Sequence, residues 1–163
     1  MTDKQVTEVV RKANAKLKKS KEDEFPNTYY FEIKNYPVAN QVLDIRVSSF
    51  NDEIYEIVVD TAKQIQMPFI HQLLTEKYGE GDEQRITRPF GIEATAWKFN
   101  TEKLDPNLAL QYFKTDESVI AGVIFPSRQQ VEYICKPVLE KYKSKRIENH
   151  QKKIKEINQK SKL

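Results

Sequence analysis

The sequence predicts an α+β fold in which helices flank two antiparallel three-stranded β-meanders. Three observations predict it. Short stretches of alternating apolar and polar side chains are separated by turn residues. Apolar residues at helical spacing precede, separate and follow these stretches. The chain after Pro137 contains no Gly or Pro, so nothing there stops a long C-terminal helix. The predicted order is α-βββ-α-βββ-α.

The first half predicts one helix and three strands. Residues 3–19 form the helix, because apolar side chains recur at intervals of three and four residues: Val6, Val10, Ala13 and Leu17. Pro26 marks the loop that follows. Alternation then predicts strands at 28–36, 41–50 and 54–61, with a turn at Asn51-Asp52-Glu53 between the last two.

The second half repeats this order. Residues 68–78 predict a short helix, opened by Pro68 and closed by Gly79. A polar loop follows, and then strands near 92–100, 108–114 and 119–125. Ser127 suits the N-cap of a long final helix. Its first turns carry an apolar stripe that is expected to dock on the sheet: Val131, Ile134, Cys135, Val138 and Tyr142.

An internal repeat is one interpretation of this order. Placing residues 28–78 on 92–142, an offset of 64, gives nine identities in 51 positions without gaps. Glu76-Lys77-Tyr78 then matches Glu140-Lys141-Tyr142. The other interpretation is two unrelated meanders with ordinary turn residues. The α-βββ repeat order resembles that of the tandem-repeat β-lactamase-inhibitor proteins, in element order alone, so no residue role is transferred from them.

Charge divides the chain into an acidic body and a basic end. The net charge is +3, and residues 136–163 hold ten Lys or Arg against three Glu. We divide the chain into an N-terminal helix and linker (1–24), an α+β body (25–143) and a basic helical tail (144–163). No apolar run approaches the roughly 20 residues needed to span a bilayer, and no signal peptide is visible at the start. The chain as numbered predicts a cytoplasmic protein, or an exported one if a signal precedes it.

The tail has a narrow apolar seam at 3-4-3 spacing, formed by Ile147, His150, Ile154 and Ile157. The tail could be a solvated helix, or its seam could meet the N-terminal stripe from Val6 to Leu17, a partner helix or a second copy of the chain. A membrane-surface helix is the weakest alternative, because three isolated isoleucines bury too little apolar area. The lysines could also neutralise phosphates of a nucleic acid, although no aromatic residue beyond Tyr142 is present for base stacking.

Catalytic and metal-binding patterns are weak. The single Gly-x-Gly, at Gly79-Glu80-Gly81, lacks the rest of a phosphate loop. Two histidines and the lone Cys135 have no zinc-ligand spacing, and His71 and Cys135 fit interior positions better than a nucleophilic pair. We therefore expect no cofactor and no metal. A small enzyme with an unrecognised site around His71 is the third-ranked hypothesis.

Aromatic residues supply the remaining candidate contacts. Trp97 and Tyr112 lie on neighbouring predicted strands, and Arg88 and Phe90 lie in a predicted loop. Trp, Tyr and Arg dominate the binding energy of protein interfaces. The sequence therefore predicts a non-enzymatic protein-binding module, an inhibitor, accessory or assembly factor, that uses a strand face or the helical tail. A nucleic-acid-binding protein using the lysine-rich tail is the alternative.

Overall fold

The computed structural model describes residues 1–22, 24–38, 41–60 and 68–162, and over these ranges the chain forms an α+β fold, as predicted. The helices are α1 (Asp3–Lys12), α2 (Pro68–Tyr78) and α3 (Lys136–Ser161), with a 3₁₀ turn at Pro89–Gly91. The strands are β1 (Lys16–Lys21), β2 (Tyr29–Val38), β3 (Gln41–Phe50), β4 (Glu53–Asp60), β5 (Asp82–Thr87), β6 (Glu93–Phe99), β7 (Leu108–Thr115), β8 (Ser118–Ile120), β9 (Val123–Phe125) and β10 (Gln129–Cys135).

Eight strands form one antiparallel sheet in the order β1-β2-β3-β4-β10-β7-β6-β5, and β8 pairs with β9 in a separate two-stranded sheet. The two halves of the large sheet meet where β4 pairs with β10, with Val59 opposite Val131. The expected three-stranded meanders are therefore parts of larger units, because β1, β5 and β10 add strands that the sequence did not predict.

The N-terminal helix is shorter than predicted. α1 ends at Lys12, Ala13 is its C-cap, and Asn14 has a left-handed backbone with φ of 54°. Leu17 therefore lies on β1, not on the helix, although it packs against the same apolar cluster as Val6 and Val10. The lysines of β1 concealed the strand, since a charged edge strand has the composition of a solvated segment.

The final helix begins nine residues later than predicted, at Lys136 instead of Ser127. Residues Gln129–Cys135 form β10, which pairs with both β4 and β7. Val131, Ile134 and Cys135 have helical spacing, but pairing on both sides decides the conformation of this short apolar run. The predicted stripe is accordingly divided between a central strand and the first turns of α3.

Two further predictions need correction. The expected loop after Gly79 contains the edge strand β5, which pairs with β6 along its whole length. The expected strand at 119–125 is instead the β8–β9 hairpin, which turns at Ala121 and Gly122 with φ of 52° and 79°. β5 was missed because its side chains are polar, as suits an exposed edge strand. Residues 119–125 were misassigned because their apolar side chains belong to a separate two-stranded hairpin.

Helices α1 and α2 cover the same face of the sheet. Val6 and Val10 of α1 pack on Phe31 and Val47 in one half, and Leu74 of α2 belongs to the cluster of the other half. A row of cross-strand neighbours connects the two clusters, and such neighbours share a face: Val47, Ile57, Tyr133, Leu110 and Phe99. One continuous apolar layer therefore supports both halves.

The start of α3 docks on the sheet near β3, β4 and β10. Val138 is buried there, and the ring of Tyr142 stacks on Tyr55 with centroids 4.9 Å apart. Phe25 and Phe50 complete this aromatic cluster. From Lys143 onward every described side chain of the helix except Asn149 is exposed, so most of its length stands in solvent.

The 64-residue repeat is not supported. Each half has a helix followed by four strands of the large sheet, α1 with β1–β4 and α2 with β5, β6, β7 and β10. An offset of 64 residues, however, places β4 on the small β8–β9 hairpin and not on β10. The similarity of the halves is one of element order.

Candidate functional site

The β8–β9 hairpin is an apolar projection with exposed side chains on both of its faces. Val119 and Ile124 are cross-strand partners on one face and are 66% and 64% exposed. Val123 points the opposite way by strand alternation and is 56% exposed. Phe125, the last residue of β9, is 42% exposed. The face of Val119 and Ile124 is open, and the other face is partly covered, because Ser118 and Ile120 are half-buried.

A further exposed apolar side chain lies on the 3₁₀ turn, whose flanking residues Arg88 and Ile92 line a groove shared with the hairpin. Phe90 is 86% exposed and has a left-handed backbone with φ of 66°. A bulky residue rarely takes this conformation, which costs roughly 1 kcal/mol or more. We call Phe90, Val119, Val123, Ile124 and Phe125 together the apolar tip.

A groove of about 290 Å³ lies between the residues that flank the 3₁₀ turn and the base of the hairpin. Arg88 and Ile92 line it from the loop, Phe125 and Pro126 from the hairpin, and Arg128 from the start of β10. The guanidinium of Arg88 lies 4.9 Å from the centroid of the Phe113 ring, in a cation–π contact. The groove thus presents cationic groups next to an apolar surface.

Polar contacts hold the base of the hairpin firmly on the sheet. The backbone N–H of Thr115 donates to the carbonyl of Arg128 at 2.8 Å, and the hydroxyl of Ser127 donates to the carbonyl of Thr115 at 2.6 Å. Arg85 donates to Asp116 at 2.9 Å. The hairpin therefore extends the β7–β10 ladder, and its apolar residues project from a fixed base.

The predicted aromatic strand face is closed. Trp97 and Tyr112 are cross-strand partners, but Tyr112 is only 3% exposed because His71 of α2 stacks on its ring at 4.8 Å. The Tyr112 hydroxyl donates to Gln129 at 2.8 Å, and burial raises its pKa to about 12. Trp97 is half-buried, 4.7 Å from the His71 ring. These residues pack α2 on the sheet and offer no open aromatic platform.

His71 is accordingly a packing residue in this geometry. Burial is the main cause that lowers the pKa of its imidazole, and the charge of Glu83 opposes it. The neutral ring between Trp97 and Tyr112 is suited to stacking. Cys135, the last residue of β10, is half-buried and in the free thiol form.

The tail seam is exposed to solvent along α3. Ile147, Ile154 and Ile157 are 60%, 45% and 65% exposed, and His150 between them is exposed as well. The seam does not meet the N-terminal stripe, because Val6 and Val10 are buried on the sheet. Two of the three predicted contact regions, the 88–90 loop and the tail, are therefore open to a partner.

Neither a metal-ligand cluster nor a membrane-crossing helix is found in the described ranges. No group of three or more His, Cys, Asp or Glu side chains is arranged there to hold a metal ion. None of the helices in the same ranges is long and apolar enough to cross a bilayer. Both findings concern these residues alone.

The hairpin is the contact element that sequence reasoning missed. Its signal was present in residues 119–125, an apolar run with Ala121-Gly122 at its centre. An Ala-Gly pair between an apolar pair and an apolar triplet is compatible with a tight turn whose second residue needs positive φ. The run was predicted as a single strand, because a continuous apolar stretch of this length also fits one strand.

Comparisons with known proteins found no match: no family model, no curated protein and no solved structure is significantly similar to the chain.

Proposed function

We propose that this chain is a non-enzymatic protein-binding module, an inhibitor, accessory or assembly factor, whose partner docks on the apolar tip. The observation that carries the proposal is the exposure of five large apolar side chains on the β8–β9 hairpin and on the Pro89–Gly91 turn, which border one groove. Contiguous exposed apolar surface on a soluble domain marks an interaction site. Burial of a Val, Ile or Phe side chain stabilises a complex by about 1.5–3 kcal/mol when it is complete.

The fixed base of the hairpin supports this proposal. Association loses free energy when loops must become ordered, and a hairpin already tied to the sheet avoids much of that loss. The bonds from Thr115 to Arg128 and from Arg85 to Asp116 provide the required order. Arg88 and Arg128 beside the tip would supply polar contacts at the rim, where interfaces are solvated.

A site-specific crosslink tests the proposal. A photoreactive phenylalanine analogue at Phe90 or Ile124 is expected to capture a defined protein in lysate of the producing cells. The same analogue at Leu104 is the control, because Leu104 is equally apolar and exposed but lies in the loop before β7, at the opposite end of that strand.

The captured protein is then purified and titrated with full-length variants. We expect Val123→Ser/Ile124→Ser to weaken its binding at least tenfold, while Leu104→Ser and Val42→Ser bind like the parent chain. Both control residues are exposed and apolar and lie outside the tip. Equal affinity of the tip variant and the controls would show that the partner docks elsewhere.

A further inference from the structure

The free part of α3 carries an ordered arrangement of charge around its apolar seam. Residues 143–161 continue the helix for about 28 Å beyond the docked turns, at 1.5 Å per residue. The seam residues Ile147, His150, Ile154 and Ile157 have the 3-4-3 spacing of a coiled-coil seam. All four are exposed on the described chain.

The two rims of the seam differ in charge. On one side lies a basic rim with seven-residue spacing: Arg146, Lys153 and Lys160. The opposite rim has the same spacing and is polar but uncharged: Ser144, Gln151 and Asn158. In coiled coils these flanking positions select the partner through ion pairs between helices. The basic rim therefore favours carboxylates, and the neutral rim has no strong preference.

A carboxylate of the linker before the body already binds the basic rim. Glu24, in the segment between β1 and β2, accepts a contact from the Lys153 ammonium at 3.5 Å. The third free turn of the helix thus lies beside this segment, where Ile147 and His150 line a groove with Glu24, and the three isoleucines stay exposed. The pair is exposed and contributes little to stability, so a partner could replace Glu24 at small cost.

A second copy of this chain is a poor occupant of the seam. Residues 143–162 hold eight basic and two acidic side chains, so two such helices repel each other. Antiparallel pairing would also set the basic rim against itself. Parallel pairing would set it against the neutral rim, where no ion pair forms.

We infer that the free part of α3 binds an amphipathic partner helix whose apolar stripe covers Ile147, Ile154 and Ile157 and whose acidic residues face Arg146, Lys153 and Lys160. This surface is separate from the apolar tip and does not depend on it. Nucleic acid is disfavoured, because it would leave three isoleucines exposed and no aromatic side chain lies in this stretch for stacking.

The test uses the full-length chain and two designed helical peptides with identical leucine stripes. One peptide carries Glu at all positions flanking the stripe and the other carries Lys. We expect fluorescence anisotropy to show binding of the Glu peptide at least tenfold tighter than the Lys peptide. Ile147→Asp/Ile154→Asp should abolish that binding, with α3 shown to stay helical by circular dichroism.

Charge reversal provides the matched control. Arg146→Glu/Lys153→Glu/Lys160→Glu is expected to lose the Glu peptide and gain the Lys peptide. Lys145→Glu/Lys152→Glu/Lys155→Glu changes the net charge equally but lies away from the rim, and it should retain the original preference. If both triple variants lost affinity for the Glu peptide equally, binding would depend on net charge alone, and the inference would be overturned.

Three other results would also overturn it. One is a dimer of the chain that Ile147→Asp/Ile154→Asp dissolves, since the occupant would then be a second copy. Another is duplex DNA that competes with the Glu peptide at comparable affinity. The third is binding to phosphatidylserine vesicles that requires the isoleucines. Because the apolar tip is unchanged in every variant, failure here leaves the proposed function standing.

Discussion

The hydroxyl of Tyr142 donates to both carboxylate oxygens of Glu22, at 3.2 and 3.0 Å, across 120 positions of sequence. This contact ties the first turns of α3 to the end of the β1–β2 hairpin. The Tyr142 ring meanwhile packs with Phe25, Phe50 and Tyr55. Burial and the neighbouring carboxylate raise the pKa of Tyr142 above its ordinary value. The first turns of α3 are therefore held by a hydrogen bond and an aromatic cluster, and the Lys153–Glu24 pair adds a contact further along the helix.

Substitution of Tyr142 should separate these two contributions. Tyr142→Phe is expected to lower the free energy of unfolding by about 1 kcal/mol, since a partly buried hydrogen bond to a charged group is lost. Tyr142→Ala should cost about 3 kcal/mol, because the cluster also loses its central ring. Urea unfolding measures both. Tyr30→Phe, at a more exposed position on β2, is the control and should change stability little. If it lowered the free energy of unfolding as much as Tyr142→Phe does, the hydrogen bond to Glu22 would not be the cause.

Glu56 on β4 predicts a pH dependence. Burial first, and then repulsion from Glu132, raise the pKa of the Glu56 carboxyl above 4.5. A raised folded-state pKa means that the folded protein holds this proton more tightly. The resulting stability is present below pH 4.5 and is lost as the pH rises through the folded-state pKa.

Glu56→Gln should remove the loss of stability that Glu56 causes as the pH rises. We expect its melting temperature to match the parent at about pH 4 and to exceed it by about 2 °C at about pH 7, a small effect because solvent screens a partly exposed carboxyl. Calorimetry across this range measures the difference. Glu117→Gln, on an exposed loop, should follow the parent curve. A constant difference at all pH values would contradict the assigned cause.

His71 predicts a pH dependence of stability opposite to that of Glu56. Burial against Trp97 and Tyr112 lowers the pKa of its imidazole below 6.5. The unfolded chain then binds the proton more readily, so this stability is present above pH 6.5 and is lost as the pH falls through the folded-state pKa. His71→Phe should stay folded and lose that part of the acid dependence. An NMR titration of the His71 ring that gives a midpoint at or above 6.5 would contradict this.

Gly79 and Gly81 are expected to resist substitution for different reasons. A Cβ at Gly81 would lie 3.0 Å from the Trp97 Cβ and 3.3 Å from the Phe99 ring, so Gly81→Ala should cost about 1–3 kcal/mol through overpacking. Gly79 has φ of 82° and open space around it, so Gly79→Ala should cost about 1 kcal/mol through backbone strain. Fluorescence of Trp97, the one Trp of the chain, should shift in Gly81→Ala alone.

Much of the fold followed from local pattern. β2, β3, β4, α2, β6 and β7 lie close to their predicted bounds, because each has clear alternation or helical spacing between turn residues. At the hairpin between β3 and β4, Asn51 and Asp52 both take positive φ, as the turn chemistry indicated. Gly79 closes α2 in the left-handed conformation expected of it.

The errors share a cause. β1 and β5 are edge strands whose charged residues contact solvent, and β10 is a central strand whose short apolar run also fits a helix. In each case the deciding interaction is pairing with a neighbouring strand: β1 pairs with β2, β5 pairs with β6, and β10 pairs with β4 across some 70 residues. Such pairing leaves no periodic trace in the segment itself.

The sequence by itself determined the α+β class, the hairpin turns, the basic tail and its isoleucine seam, because each depends on residues within a few positions of one another. The tertiary structure alone decided which apolar side chains were buried and which stayed exposed. It buried Tyr112 beneath His71 and left Val119, Ile124 and Phe90 in solvent, because burial depends on which surfaces meet when the sheet assembles, and apolar character alone does not reveal that.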